Sequence, residues 1–266
     1  MSASVAVSGS VQSVDRACAL LHVLGRAPAG ASLGQLSRET GLHKSTARRI
    51  LVSLVAAGLV RQAPPDDHYR LGAALPHLGD VARLHLFDGN VAHSILRGLR
   101  DQTNETVHLG VPDRFELVYV DKIESLQSLQ VASRIGARTP LYCTGLGKAY
   151  LAHMPEGWVA EYLAAVELVA KTPNTITDSA ALLAEMAKTR KRGWSVDDVE
   201  NEADVRCIGA PVLDSSGTVV AAVSVTAPAS RLTMEKVPQA AALLLNAARQ
   251  LGDSSPSYPT ISTGSG

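Results

Sequence analysis

Between Ser32 and Ala57 two helical patterns meet across only three residues, Gly41, Leu42 and His43. Ser32 is placed to cap a short helix running through Thr40, Gln35 three positions on completes a capping box, and Gly41 supplies the residue that ends it. The pattern resumes from His43 to Ala57, where Ala47, Ile50, Leu51, Leu54 and Val55 recur at i, i+3, i+4, i+7 and i+8 and form one buried face. Lys44, Ser45, Arg48 and Arg49 occupy the opposite face within the first two turns, and no acid interrupts them. A short helix, a tight Gly-containing turn and a second helix with a basic N-terminal half is helix-turn-helix logic, in which that half meets base edges in the major groove. An ordinary solvated face is the alternative for the same residues.

The flanking segments suit this arrangement. Val11 to Gly25 sets Val14, Ala17, Cys18, Leu21 and Leu24 at helical spacing, with Asp15, Arg16 and His22 between them. It reads as an amphipathic helix, with Cys18 as a small hydrophobe on the buried stripe. Downstream, GLVRQAPPDDHYRLG places two short strands around a Pro-Pro-Asp-Asp turn, the outline of a β-hairpin wing. Arg61, His68 and Arg70 are available there for phosphate contacts, which give affinity without reading sequence. The whole chain balances 25 Lys and Arg against 25 Asp and Glu, which by itself argues against a nucleic-acid partner. Divided at residue 75, the balance becomes eight basic groups against four acids, and 17 against 21 in the remainder, or +4 and −4. A basic first quarter joined to an acidic remainder suits one domain that meets a polyanion and another with a different task.

At 266 residues the chain has room for two ordinary domains. A helical pattern from Gly79 to Asp101, interrupted near Phe87-Asp88-Gly89, reads as a connecting helix or helix pair. Beyond it come short β-rich runs: ETVHLGV, FELVYVDKI, SLQVAS, TPLYC, GWSVDD, VRCIGAPVLD and VVAAVSVTAP. Helical patterns lie among them at Gly147 to His153, Glu156 to Val166, Ser179 to Arg192 and Lys236 to Leu251, and DSSG at 214–217 is a hairpin turn. The expected fold class is α+β, with an antiparallel sheet and helices packed on it. The expected boundaries are 8–75 for the winged helix-turn-helix, 76–102 for the linker helix, 103–252 for the α+β domain and 253–266 for a low-complexity, disordered tail. No stretch approaches the ~20 uncharged apolar residues of a membrane helix, and the first residues lack a basic segment followed by an apolar run. A soluble, cytoplasmic protein with no membrane partner is expected. Cys18, Cys143 and Cys207 form no CxxC pair, so neither a disulfide framework nor a structural zinc site is signalled.

Several blocks in fixed order resemble one known family. VQSVDRACALLHVL, LGQLSRETGLHKSTARRILVSLVAAGLV and HYRLG are similar to the winged helix-turn-helix of IclR-type bacterial transcription regulators. ETVHLGV, VYVDKIES, GARTPLYCTGLGKAYLA, GWSVDDVENEADVRCIGAPVLD and VVAAVSVTAPASR resemble that family's effector-binding domain. The resemblance implies a GAF-like C-terminal domain that binds a small molecule and helps assemble homodimers and homotetramers. It also implies DNA contacts from the Lys44-Ser45-Thr46 run with Arg48 and Arg49. His43 and Arg48 depart from the family pattern, which commonly has Pro and His there. Arg48 adds a bidentate donor suited to guanine, with a phosphate contact as the alternative.

For the effector, the resemblance implies that the amides of Gly145 and Leu146 hold a ligand carboxylate, with Asp197, Cys207, Ser224 and Thr226 as polar contacts and Val131 and Val205 as an apolar wall. The sequence physics is compatible. TGLGKAYLA opens a helix whose unpaired N–H groups favour an anion, and Ser224 and Thr226 share one strand face. A tight turn onto a helix is the other reading of Gly145 and Gly147. The acidic run Asp197, Asp198, Glu200, Glu202 and Asp204 lacks the central Gly of an EF-hand, so it reads as a solvated loop ending near Arg206, with Asp197 turned inward and no metal. The resulting expectation is a ligand-responsive regulator, a repressor on a palindromic double-stranded DNA operator, needing no cofactor and having no catalytic residue. The alternatives are an activator of a catabolic operon, an architectural DNA-binding protein, or a thiol-dependent enzyme drawing on Cys207 or Cys143 and on His108 or His153.

Overall fold

The computed structural model describes residues 11–62, 67–86, 89–128 and 133–255. The chain divides into two compact units between Ala82 and Arg83.

The first unit contains α1 (Gln12–Gly25), α2 (Leu33–Thr40), α3 (Lys44–Ala56), β1 (Val60–Gln62), β2 (Tyr69–Leu71) and the start of α4 (Ala74–Leu86). The capping box forms as expected: the Gln35 amide donates to Ser32 Oγ at 3.3 Å, and the Ser32 amide donates to Gln35 Oε1 at 3.1 Å. Gly41 closes α2 in the left-handed region at φ 68°. Leu20, Val23 and Leu24 of α1 meet Leu36 of α2 and Ala47, Leu51 and Leu54 of α3 in one core, which Val60 and Tyr69 extend beneath the hairpin. Ala31 and Tyr69 exchange backbone hydrogen bonds of 3.0 and 2.9 Å, so the loop before α2 is tied to the inner edge of the wing. Residues 63–66, which hold the Pro-Pro-Asp part of the wing turn, lie outside the described residues.

Two assignments on helix faces need correction. Cys18 is exposed and Val14 is 57% exposed, because only the C-terminal half of α1 lies against α2 and α3. Val55 is likewise 40% exposed: Ala47, Leu51 and Leu54 are enough to bury α3, and the stripe is narrower than the apolar pattern.

The second unit contains the rest of α4, then α5 (Gly89–Thr103), β3 (Thr106–Asp113), β4 (Glu116–Ile123), β5 (Arg138–Pro140), α6 (Gly145–Leu151), α7 (Glu156–Ala165), α8 (Ser179–Arg192), β6 (Ser195–Asp198), β7 (Val205–Leu213), β8 (Val219–Pro228) and α9 (Val237–Asp253). The strands form one sheet in the order β5-β4-β3-β8-β7-β6, antiparallel at every junction. The fold is α+β, a winged helix-turn-helix followed by an antiparallel sheet with helices. SLQVAS falls largely on residues 129–132, outside the described residues, as do 87–88 between α4 and α5 and the tail from 256. TPLYC yields only the short β5, after which Leu141 to Thr144 leave the sheet and lead into α6.

Alternation gives the sheet two unlike faces. One is apolar: Val107 and Leu109 of β3, Ile208, Ala210 and Val212 of β7 and Val223, Val225 and Ala227 of β8 pack against Leu96 and Leu99 of α5 and Ala241, Leu244 and Leu251 of α9. The other, in the same strands one residue out of phase, carries His108, Cys207, Gly209, Ser224 and Thr226, and α6 crosses it.

Candidate functional site

In the first unit, the N-terminal half of α3 is the exposed basic surface. Lys44, Ser45, Arg48 and Arg49 are exposed and Thr46 is half-buried. His43, the residue before the helix, bonds Ser45 Oγ through Nδ1 at 2.9 Å, which fixes both side chains at the helix entrance. Among the described residues no acid forms a salt bridge with Lys44, Arg48 or Arg49. Arg61 and Arg70 are direct cross-strand partners in the wing, so both side chains leave the ribbon on the same side. Arg48 borders a depression that it shares with Gln62 and Asp67 of the wing, so α3 and the hairpin present one surface.

In the second unit, the polar sheet face ends in a cavity of about 340 Å³, within the ~300–1,000 Å³ typical of small-molecule sites. Leu146, Asp197, Val205, Cys207 and Thr226 line it. Gly145 and Ser224 do not: both are buried behind its wall. A Cβ at Gly145 would lie 2.9 Å from both O and Sγ of Cys207, and one at Gly209 would lie 2.2 Å from Gly145 O. The two glycines therefore let the start of α6 sit directly on β7, which accounts for Gly145 by packing. Thr144 caps α6, accepting from the Gly147 amide at 2.9 Å and donating to Pro140 O at 2.7 Å, so the helix begins two residues earlier than its pattern suggested. Val131 lies outside the described residues.

The inner wall is a chain of neutral groups. Thr226 Oγ1 donates to Cys207 Sγ at 3.1 Å, His108 Nδ1 lies 3.5 Å from Thr226 Oγ1, and His108 Nε2 lies 2.7 Å from Ser133 Oγ. Burial, aided by Lys122, pushes the His108 imidazole down to about 3. Burial, aided by the Asp197 charge, pushes the Cys207 thiol up to about 11. His108 of β3 and Cys207 of β7 lie far apart in the chain. The fold brings them to one cavity, but as a neutral imidazole and a protonated thiol with a threonine hydroxyl between them. A thiol nucleophile needs the reverse, a thiolate beside its base.

Asp197, opposite Cys207 in the β6–β7 register, is 3% exposed. Its Oδ1 accepts from the amides of Glu200 at 2.6 Å and Asn201 at 3.3 Å. Burial nevertheless outweighs these bonds and raises its pKa to about 7, with the Glu200 charge adding to the rise and Lys148 opposing it. The acidic run is only partly solvated. Glu200 is also buried, paired with Lys148 beneath α6, and Asp198 pairs with Arg206 at 2.6 Å. Desolvation raises the Glu200 pKa and the Lys148 charge opposes the rise. Val199 and Asp204 adopt φ values of 60° and 61°, and a β-branched residue there marks a strained loop. The 171–175 segment clamps it: Thr172 Oγ1 donates to Val199 O and Thr175 Oγ1 to Glu200 O, both at 2.6 Å. Among the described residues no cluster of three His, Cys, Asp or Glu side chains is arranged to hold a metal ion.

The sequence reading did not assign Tyr119, Thr139, Asn201 or His108 to this cavity. His108 sits directly across from Ser224, and the Tyr119 ring lies tilted against its imidazole with centroids 4.7 Å apart. Alternation places Ser224 and Thr226 on one face, but only strand register adds His108 to it. For the buried pair the available signal was Lys148 itself, a lone charge in the apolar run GLGKAYLA.

Residues 81–253 match the family described as bacterial transcriptional regulator IclR C-terminal, and residues 13–64 match the IclR helix-turn-helix domain. The chain is 32% identical over 254 residues to the transcriptional repressor IclR of Escherichia coli K12, spanning 94% of this chain and 92% of that one. It is 36% identical over 242 residues to the transcriptional regulator KdgR of the same organism, spanning 91% and 92%. The crystal structure of the Thermotoga maritima IclR is similar at a TM-score of 0.74 and 36% identity, over 90% of this chain and 96% of that one. An IclR homologue from Microbacterium hydrocarbonoxydans complexed with 4-hydroxybenzoate shares the fold at a TM-score of 0.79 and 23% identity, over 91% and 98%.

Proposed function

The chain belongs to the IclR family and is a DNA-binding transcriptional regulator, not an enzyme; on that premise we propose that it represses transcription from a palindromic operator and answers to a small carboxylic acid held in the cavity of its second unit. The observation that carries the DNA part is the uninterrupted basic face of α3, with Lys44, Arg48 and Arg49 exposed and no acid paired to them among the described residues. Ser45, Thr46 and Arg48 face base edges in this reading, and Arg61 and Arg70 meet phosphates from the wing. A homodimer, or a homotetramer built from two of them, supplies the two-fold axis that a palindrome requires. Residues 8–75 bind DNA, 76–102 link, and 103–252 bind the effector and assemble the protein, which works in the cytoplasm where the chromosome lies. Among the described residues no helix is long and apolar enough to cross a membrane.

The effector acts only if it binds the DNA-competent and DNA-incompetent states with different affinity. In this reading Leu146, Asp197, Cys207 and Thr226 hold its polar end and Val205 and Val131 its apolar body, while Gly145 and Ser224 keep the wall in place. The test is a binding titration with double-stranded fragments from upstream of the chain's own gene at low and moderate salt. Arg48→Ala is expected to weaken specific binding by ~1–3 kcal/mol, a loss of roughly 5- to 150-fold, with the melting temperature unchanged. Equal binding of wild type and variant to every fragment would refute the assignment of α3.

A further inference from the structure

A cavity read as the site of an anionic acid contains a buried carboxyl group of its own. Of the acids that line it, Glu202 is exposed at the rim and Asp197 is buried at the wall. The two backbone amides both reach Asp197 Oδ1, and Oδ2 has no hydrogen-bond partner among the described residues. Among the described residues no cation bonds the free oxygen of Asp197, and the buried one nearest it is already paired. Lys148, from α6, is committed to Glu200, whose Oε2 is buried without a partner. From β7, β3 and β4 respectively, Cys207, His108 and Tyr119 all face Asp197 or the cavity as neutral groups, the tyrosine being pushed up to about 12 by burial. Of the cations on the lining, Arg134 is exposed, Lys171 is exposed and bonds Asn201 Oδ1 at 2.9 Å, and Arg138 is engaged by Asp113 and Glu116 at the outer edge; none of them bonds Asp197. Two carboxylates brought into contact at a buried wall, with no cation bridging the touching oxygens, do not both stay ionised: one retains a proton and hydrogen-bonds the other.

We propose that Asp197 takes up one proton from solvent when a carboxylate ligand enters, so that its Oδ2–H donates to the ligand and the protein binds the acid anion and the proton together. The inference rests on the cavity being the effector site. It assigns Asp197 a specific part there, a hydrogen-bond donor that exists only in the acid form. Its value near neutrality, about 7, means that the unliganded group is poised to gain or lose that proton under cellular conditions. Effector affinity then depends on pH, and the cavity selects anions over neutral analogues that cannot accept from Oδ2–H.

The experiment is calorimetric titration of the full-length protein with 4-hydroxybenzoate, pyruvate and gluconate, in buffers of low and high ionisation heat. For an acid that binds, the buffer dependence at about pH 8 is expected to report nearly one proton taken up, falling toward zero by about pH 6, with Kd weakening up to tenfold per pH unit above the Asp197 value. Asp197→Asn, whose amide supplies a permanent donor, is expected to abolish the uptake and flatten the pH dependence while holding affinity at pH 6 within severalfold. Binding without proton uptake by the wild type overturns the inference and leaves the cavity reading intact, and so does a pH dependence that survives in Asp197→Asn. Failure of all three acids to bind overturns both.

Discussion

The two faces of the six-stranded sheet come from the same strands, taken at alternate residues, and they are built to opposite ends. Toward α5 and α9 the buried side chains of β3, β7 and β8 are aliphatic, and the polar Arg206, in phase with them, sits half-buried near the start of β7. Toward α6 the same strands offer an imidazole, a thiol, three hydroxyls and two glycines. The difference lies in what each face does with space. The first fills it, and stability comes from apolar area removed from water. The second gives up that gain around a cavity and holds its polar groups by mutual hydrogen bonds, which contribute little net but cost much if broken. Stability and the proposed ligand response thereby fall to separable residues within one sheet.

Substitutions on the filled face test that separation with the largest expected effect. Leu244 of α9 is fully buried, and Leu244→Ala is expected to lower unfolding stability by ~2–5 kcal/mol, from lost transfer energy plus a cavity. Ligand affinity, measured below the lowered melting temperature, should hold. A matching loss of affinity would show that the two faces are one coupled structure. On the polar face, Gly209→Ala drives a methyl into the backbone of Gly145 and Leu146, at 2.2 and 2.7 Å before relaxation. Its expected stability cost is smaller, ~1–3 kcal/mol, but α6 must lift from β7, so affinity should fall more steeply than in Leu244→Ala.

The same division governs what could be read from the sequence. The elements around α3 are legible because their signals are local: the capping box, Gly41 and the basic turn all lie within a few residues of one another. The apolar face is legible from alternation in VVAAVSVTAP and VRCIGAPVLD. The polar face is legible only in part. Ser224 and Thr226 follow from alternation, and Asp197 from resemblance, but His108 joins them through register across 116 residues of chain. Glu200 and Lys148 meet from 52 residues apart. Cys18 and Val55 show the converse failure, since periodicity locates a stripe without saying how wide it is or which end is covered.

The pH dependence of folding gives a finer test of the polar face. Asp197 is raised to about 7 from an ordinary value of 3.8, so the fold binds its proton more tightly than the unfolded chain. Its contribution is fully present below the ordinary value and is lost as pH rises through about 7. His108 is depressed to about 3 from 6.5, so its contribution is present above 6.5 and is lost as pH falls toward about 3. Between 3.8 and 6.5 the two slopes oppose each other, each at most ~1.4 kcal/mol per pH unit. Denaturant midpoints of the wild type should therefore change little across that window. Asp197→Asn should uncover the His108 slope, losing stability steadily on acidification, and should exceed the wild type above pH 7. Parallel curves for the two proteins would mean that Asp197 is not held by burial as the structure has it.

The smallest effect concerns the three cysteines, which sample surface and cavity directly. Cys18 is exposed on α1, whereas Cys143 and Cys207 are buried and their thiols are pushed up to about 11, chiefly by burial. A disulfide reagent such as Ellman's attacks through the thiolate, and burial suppresses both access and ionisation. One equivalent is expected to react quickly in the native protein, and all three after unfolding. Cys18→Ser should remove the fast phase and shift stability by no more than ~0.5 kcal/mol, as at other exposed sites. The informative case is Cys207, the only one of the three on the cavity wall. A saturating ligand should slow its residual reaction more than that of Cys143, which does not itself line the cavity. If Cys207 instead reacts as fast as Cys18, its wall is open to solvent and its thiol is ionised, and the contrast between a filled face and a shielded, neutral inner wall fails at its most reactive atom.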